Sequence, residues 1–255
     1  MSGHRESNPL RILTVLSTVL GGSSLLALGA FLWIGSFQTA SLGMVGSRIL
    51  LWDSALSIFF FIQHSGMIRR AFRGRFERVA PPHVHAAVYS IVSGVALLLV
   101  LSLWQRSPVI VWTVDQPGSW IFRAGFVVAI IGFVWGVRAL RGFDGFGLRP
   151  IRDRARGRTR PAESLTFRGP YRWVRHPLYT GVLLMIWSCP EVTADRLLFN
   201  LLWTAWIVVG ANLEEKDLVR EYGRDYVRYR STVPMLIPRT LRPRWPSGPR
   251  SQDEG

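Results

Sequence analysis

The chain has little of what a soluble enzyme of its size normally carries. Its one cysteine, Cys189, excludes an intramolecular disulfide. Beside Pro190 at an expected hairpin tip, that cysteine reads as a small packing residue rather than a nucleophile. Lysine is almost missing: Lys216 is the only one, and arginine carries the rest of the positive charge. Nothing physical in the sequence explains that choice. No Gly-rich turn follows a strand-like run, so a soluble dinucleotide-type α/β domain is excluded. Histidines are few as well. His83 and His85 are two apart and share no helical face, so no metal site is expected, and His4 sits in a tail without pattern. Acidic residues number 16 against 31 basic ones, a net charge of +15.

What is present is apolar. Hydrophobic residues make up 49% of the 255, with a mean hydropathy of +0.21. That fits a polytopic membrane protein better than a soluble domain. The arginines sit in loops beside apolar runs, the cytoplasmic-loop bias of membrane proteins, and no nucleic-acid partner is expected. Apolar runs at about residues 12–34, 44–63, 84–104 and 120–140 predict four spans. The first is too long for a signal-peptide core. Its Gly21-Gly22-Ser23-Ser24 stretch and Gly29 offer a small-residue face for close packing. Asp53 interrupts the second run and predicts a partner inside the bundle.

Two further segments, about 178–190 and 197–213, form a hairpin. The first of these reaches only about 20 Å and is too short for a clean crossing. The predicted fold is all-α: a polytopic membrane helix bundle of five to six spans, the last two a helical hairpin, followed by a C-terminal amphipathic helix. Leu218, Tyr222, Tyr226 and Tyr229 recur at helical spacing and define that last helix, with Gly223 as a bend. Val233-Pro234 ends it. The expected divisions are a tail over 1–11, a four-span region over 12–164, a hairpin region over 165–238, and a Pro- and Arg-rich tail without periodicity over 239–255. Arg69, Arg70, Arg73, Arg75 and Arg78 follow span two, and Arg141 through Arg175 supply ten arginines after span four. The loops between carry only Arg48 and Arg106. The rich loops and both termini are therefore expected in the cytoplasm, and the expected residence is a bacterial inner membrane.

The hairpin brings its two ends to one membrane face. It gathers Arg175, His176 and Tyr179 with Glu214 and Glu215 at one mouth, where ionisable groups signal a functional site. Arg175-His176-Pro177-Leu178-Tyr179-Thr180-Gly181, Glu214-Glu215-Lys216-Asp217-Leu218, Tyr222-Gly223, Tyr226, Tyr229 and Val233-Pro234 resemble the signature of the isoprenylcysteine carboxyl methyltransferase superfamily, shared with membrane phospholipid methyltransferases. The resemblance covers about residues 165–238. Gln63-His64-Ser65, Pro81-Pro82, Val111-Trp112-Thr113-Val114 and Phe143-Asp144-Gly145-Phe146-Gly147-Leu148-Arg149 look like the bacterial methanethiol S-methyltransferase branch. That branch usually reads Asp-Leu-Phe-Gly-Leu-Arg-Gln where this chain has Gly145 and Pro150.

The resemblance implies S-adenosylmethionine as cofactor and places His176, Tyr179, Gly181 and Glu215 on cofactor-binding positions. Read by their chemistry, Arg175 suits the cofactor's carboxylate, Glu214 or Glu215 its ammonium or ribose, and Tyr179 an aromatic or hydroxyl contact. Pro177 and Gly181 shape the helix entry. On the acceptor side His64 is a candidate base, with Asp144 to orient it or Arg149. The alternatives are a histidine hydrogen-bonded at the interface and a turn-forming aspartate. The substrate expected first is a small thiol such as methanethiol. A prenylcysteine carboxylate or phospholipid amine is the alternative, and a membrane reductase or a non-catalytic protein with a similar hairpin stands further off. Membrane lipid is the expected surrounding, and the sequence leaves the oligomeric state open.

Overall fold

The structure is a computed structural model and describes residues 8–140, 142–158, 167–240 and 242. The expectations for the N-terminal tail with His4, for Arg141 and Arg160, for the division at 164 and for the tail beyond 242 lie outside those residues. In chain order the helices are α1 (Asn8–Ile34), α2 (Ser47–Ile68), α3 (Arg70–Phe76), α4 (His85–Leu103), α5 (Gly118–Ala139), α6 (Leu148–Ala155), α7 (Pro177–Trp187) and α8 (Ala194–Thr232). Two short strands, β1 (Ile110–Thr113) and β2 (Glu191–Thr193), and two single-turn 3-10 helices, Pro82–Val84 and Gly169–Arg172, complete the described elements. The chain packs as two compact units that each draw on separate stretches of sequence. One takes Met1–Thr113, Asp144–Pro161 and Glu191–Trp203; the other takes Val114–Phe143, Ala162–Pro190 and Thr204–Gly255.

Among the described residues four helical stretches are long and apolar enough to cross a membrane: α1, Pro82–Leu103 containing α4, α5 and α8. The protein is an all-α integral membrane protein. Helix α2 matches α5 in length at 22 residues but carries Arg48, Asp53, Gln63 and His64. Helix α7 has 11 residues, about 17 Å at 1.5 Å per residue, against a hydrocarbon core of about 30 Å. It does not reach across on its own.

In the first unit α1 and α2 pack on α4. Small residues set how closely. A Cβ at Gly94 would lie 2.8 Å from the carbonyl oxygen of Leu20, and one at Gly21 would lie 2.6 Å from Ser90 Oγ. Ser17 and Ser24 are buried on the same face of α1. Gly29 has open space beside it and is not on that face. Helix α1 ends at Gly35, whose φ of 92° and amide bond to the Phe31 carbonyl turn the chain out of the helix. The buried guanidinium of Arg196 also donates to the carbonyls of Phe31 (3.0 Å) and Leu32 (2.8 Å). A cation is favourable at those last carbonyls.

Nearby, Asp195 Oδ1 accepts from the Ser107 amide and Thr193 Oγ1, and its Oδ2 accepts from Trp104 Nε1. Asp53 is fully buried and accepts the Gln105 amide at 3.0 Å. Its partner is thus a backbone amide rather than a cation. The strands are a local feature that helix reasoning did not anticipate. Ile110 pairs with Thr193 and Thr113 with Glu191, antiparallel, with an irregularity between Ile110 and Trp112. The run Val109 to Val114, rich in β-branched residues, has that preference.

Within this unit the segment 144–149 packs tightly against α1 and the start of α4. Gly147 has φ 68°, and a Cβ there would sit 2.3 Å from the carbonyl carbon of Ala86. The Phe146 carbonyl accepts Ser17 Oγ at 2.5 Å. Gly147→Ala is therefore expected to destabilise the protein by about 3 kcal/mol, combining left-handed strain with overlap on backbone. Gly157 has a similar φ of 62° with open space around it, so Gly157→Ala should lose only about 1 kcal/mol. Thermal unfolding of the two variants in detergent compares them directly, and equal losses would mean that the contact with Ala86 is unimportant.

In the second unit α7 lies against α5 through two glycines. A Cβ at Gly181 would meet Phe133 Cβ at 3.2 Å, and one at Gly136 would meet Leu178 Cδ2 at 2.8 Å. Trp187 Nε1 donates to Thr204 Oγ1 at 3.0 Å, joining the far end of α7 to α8. The expected hairpin is thereby formed. Helix α8 is interrupted at Gly223, with φ 56° and ψ −128°. Beyond it Tyr226, Tyr229 and Val233 are buried, with Phe167, Leu218, Val219 and Tyr222 packed on them. Phe167 stacks on Tyr229 with ring centres 3.7 Å apart. The amphipathic face is the one that the spacing of Leu218, Tyr222, Tyr226 and Tyr229 defines.

Candidate active site

The start of α7 is fixed by the chain beyond α8. The Arg175 amide donates to the Pro234 carbonyl at 2.9 Å and the His176 amide to the Met235 carbonyl at 3.1 Å. Thr180 Oγ1 donates to the Leu236 carbonyl at 2.7 Å. Pro177 is the first residue of α7, where its missing N–H and fixed φ are no handicap. These bonds strap residues 234–236 across the helix entry. The sequence signalled only a helix break at Val233-Pro234.

Five of the expected site residues converge there. Glu215 is 5% exposed and its Oε1 accepts Arg175 Nε at 2.5 Å. The same oxygen lies 3.3 Å from His176 Nε2. Arg175 Nη1 donates to the carbonyls of Arg230, at 2.9 Å, and Val233. Glu214 differs: its side chain is 46% exposed, and its Oε2 accepts the Tyr179 hydroxyl at 2.7 Å. That oxygen is 3.8 Å from His176 Nδ1. Tyr179 and His176, one turn apart, stack with ring centres 5.3 Å apart and planes 11° from parallel. Burial pushes the His176 imidazole below its ordinary pKa, and the neighbouring carboxylates Glu214 and Glu215 only partly offset this. It is neutral at pH 7. A neutral ring then donates one N–H to a carboxylate, and its other nitrogen stays an acceptor.

Arg175, His176, Tyr179, Glu214 and Glu215 thus form one hydrogen-bonded cluster, with Glu215 at its centre and Glu214 at its rim. Gly181 lies one turn further along α7. Its close backbone approach is to α5. The other two candidates belong to the first unit. His64, on α2, has its Nε2 2.7 Å from the Tyr89 hydroxyl. Phe60 lies against His64 with ring centres 5.1 Å apart, and it stacks on Trp203. Asp144 caps α6: its two oxygens accept the amides of Leu148 (2.9 Å) and Arg149 (2.8 Å). Among the described residues no group of three or more His, Cys, Asp or Glu could hold a metal ion.

Comparison with known proteins bears on this cluster. Residues 54–221 match the family model described as NnrU protein, a stretch that includes both His64 and the α7–α8 cluster. The chain belongs to the NnrU family. Among its relatives, the methanethiol S-methyltransferase of a Pseudomonas species is 37% identical over 204 residues, 77% of this chain and 76% of that one. The methanethiol S-methyltransferase of Mycobacterium tuberculosis is 35% identical, covering 70% of this chain and 74% of its own. Nurim of Rattus norvegicus is 26% identical over 73% of this chain and 72% of its own. No solved structure matches. Kinship with enzymes at this identity makes the NnrU-family chain a methyltransferase, as the signature over 165–238 implied.

Proposed function

We propose that this protein uses S-adenosylmethionine to methylate a small thiol such as methanethiol, giving dimethyl sulfide. The observation that carries the donor assignment is the pairing of a buried carboxylate, Glu215, with a half-exposed one, Glu214, around a neutral imidazole. The donor set fits the cofactor, which brings a cationic sulfonium, an ammonium and ribose hydroxyls. When bound, it supplies a methyl group whose in-line transfer leaves the bonding electrons on the donor sulfur. Glu214 is placed to take the ammonium or ribose. Tyr179 orients that carboxylate by its hydroxyl. Glu215 holds His176 and Arg175, and Arg175 acts as a positioning residue by tying Glu215 to the Arg230 and Val233 carbonyls. Pro177 and Gly181 set the helix entry and its distance from α5.

For the acceptor, the relatives named for methanethiol support a thiol. Its S–H bond breaks, the proton goes to His64, and the sulfur's electron pair forms the new S–C bond. A thiolate is far more nucleophilic than a thiol, so a base is what such a substrate needs near neutral pH. Asp144 contributes through the turn it closes. Purified protein with labelled S-adenosylmethionine should transfer label to methanethiol in preference to hydrogen sulfide, a farnesylcysteine analogue or phosphatidylethanolamine. Label in the prenylcysteine or the phospholipid alone would overturn the thiol assignment.

The termini and the Arg-rich loops belong on the cytoplasmic side of the inner membrane in this reading, where the cofactor is made. Reporter fusions after Arg78 and at the C-terminus should be active only as cytoplasmic fusions, and periplasmic activity at either would reverse the orientation.

A further inference from the structure

Two arginine-rich stretches far apart in sequence meet at one end of α4. Residues 69–78 and 149–158 carry ten arginines against two acids, Glu77 and Asp153. The first stretch contains α3 and the second most of α6, and both belong to the first unit. Each helix is seated by its apolar residues. Phe72 and Phe76, one turn apart on α3, lie against His85 with ring centres 6.1 and 5.0 Å away. Helix α6 packs on the single turn Pro82–Val84, with Ile151 fully buried, and the chain entering it at Gly147 comes up against Ala86. His85 and Ala86 are consecutive residues at the start of α4, so the two helices flank the same point.

With these apolar residues turned inward, the arginines face out. Arg70, Arg73 and Arg75 of α3 are exposed, as are Arg152, Arg154 and Arg156 of α6 and its end. The surface they make is at a membrane boundary, because Pro82–Leu103 is long and apolar enough to span and both helices sit where it begins. Its neighbours are aliphatic. Ile68, just before α3, is 46% exposed, and Val79, shortly after it, is 83% exposed.

That mixture decides between partners. A nucleic acid or an acidic protein would meet the arginines and leave the aliphatic side chains on both sides of α3 in water. A lipid satisfies both: acyl chains take Ile68 and Val79, and an anionic headgroup takes the guanidinium groups. A guanidinium binds phosphate oxygens through paired N–H donors, and basic clusters beside a span attract anionic lipid. The bias that puts arginine-rich loops on one side of a membrane works loop by loop through charge alone. It does not require that two distant loops be built into one surface.

We propose that α3 and α6 together form a binding surface for the headgroup of an anionic phospholipid such as phosphatidylglycerol. The lipid phosphate ties the two segments together at the bilayer edge. The attraction is between solvent-exposed charges, so salt screens it.

The full chain in phosphatidylcholine bilayers, with a trace of spin-labelled phosphatidylglycerol or spin-labelled phosphatidylcholine, tests this. The fraction of motionally restricted label gives the relative association of the two lipids. The wild type should favour phosphatidylglycerol about 5-fold at about 10 mM salt and less than about 2-fold at about 500 mM. No preference at low salt, or a preference that salt leaves unchanged, overturns the proposal, and this series needs no variant. The triple variants Arg70→Gln/Arg73→Gln/Arg75→Gln and Arg152→Gln/Arg154→Gln/Arg156→Gln should each bring the low-salt preference below about 2-fold, with melting temperatures close to wild type because the side chains are exposed. A preference that survives in either variant overturns the joint surface. Replacing chloride by inorganic phosphate at constant ionic strength should leave the preference unchanged. Selective displacement by phosphate would make the free ion the ligand and overturn the lipid assignment. None of these readouts uses the cofactor or a thiol, so they stand apart from the methyltransfer reading.

Discussion

Glu215→Ala should abolish turnover and weaken S-adenosylmethionine binding by roughly 2–5 kcal/mol, about 30-fold to several thousand-fold. The reason is its position. One oxygen of Glu215 serves Arg175 at 2.5 Å and His176 at 3.3 Å, and the carboxylate is buried at the mouth of the hairpin. Its loss removes a negative charge from the cationic donor and leaves the Arg175 guanidinium unpaired. The second effect also threatens folding, since an uncompensated buried charge is strongly destabilising. Glu214→Gln separates the two. Glu214 is at the rim, its only described ionic neighbour is His176, and its amide analogue keeps an acceptor for Tyr179. Calorimetric titration in detergent should show weaker binding in both variants, with a normal melting temperature in Glu214→Gln. Wild-type affinity in both would remove the cluster from the cofactor site.

The same titration has a pH signature. His176 has its pKa lowered by burial from 6.5, so it is neutral above that value. A bound cation favours the neutral ring over the imidazolium. Affinity is then steady above pH 6.5 and falls as the pH drops through the lowered value. His176→Asn should flatten that part of the curve. The sign also holds for stability: a ring held neutral in the fold supports the folded state above 6.5, and that support is lost on acidification.

How much of this was legible in sequence depends on the range of the interaction. Apolar runs are local, and they located α1, α2, α4, α5 and α7 to within a few residues, whereas α8 runs from Ala194 to Thr232 and joins the expected second arm, 197–213, to the amphipathic helix. The tyrosine spacing after Glu215 was equally local and marked the face that packs on Phe167. The identity of the cluster was legible because its two halves are short motifs at the ends of one hairpin. What each residue touches was not. Arg175 looked available for a ligand carboxylate, yet its Nη1 reaches the Val233 carbonyl, 58 residues away, and no periodicity encodes a side chain bound to a distant carbonyl. Arg196 was overlooked for the same reason: it caps α1 from 165 residues away. Asp144 was visible as either a turn former or a catalytic aid. Its spacing to Leu148 and Arg149 at the start of an eight-residue helix is the signal that favours a capping function, because the first amides of a helix need acceptors.

His64→Ala should lower the rate of dimethyl sulfide formation by about 10²- to 10⁴-fold near neutral pH, with S-adenosylmethionine affinity little changed. The split between rate and affinity follows from the separate parts proposed for these residues: His64 lies against the Tyr89 hydroxyl and takes the acceptor's proton, whereas the cofactor is assigned to residues 175–181 and to Glu214 and Glu215. The pH dependence carries the mechanism. A base matters only while the thiol is protonated, so the deficit of the variant should shrink as pH rises toward the thiol's own pKa, where solution supplies the thiolate. Headspace measurement of dimethyl sulfide across that range follows both proteins. A loss of the same size at every pH would make His64 a packing residue beside Phe60 and Tyr89, and the base would then have to be sought elsewhere. A deficit that narrows with pH and vanishes in neither buffer nor detergent controls would tie the loss to proton removal, because lost packing does not depend on the protonation of the substrate.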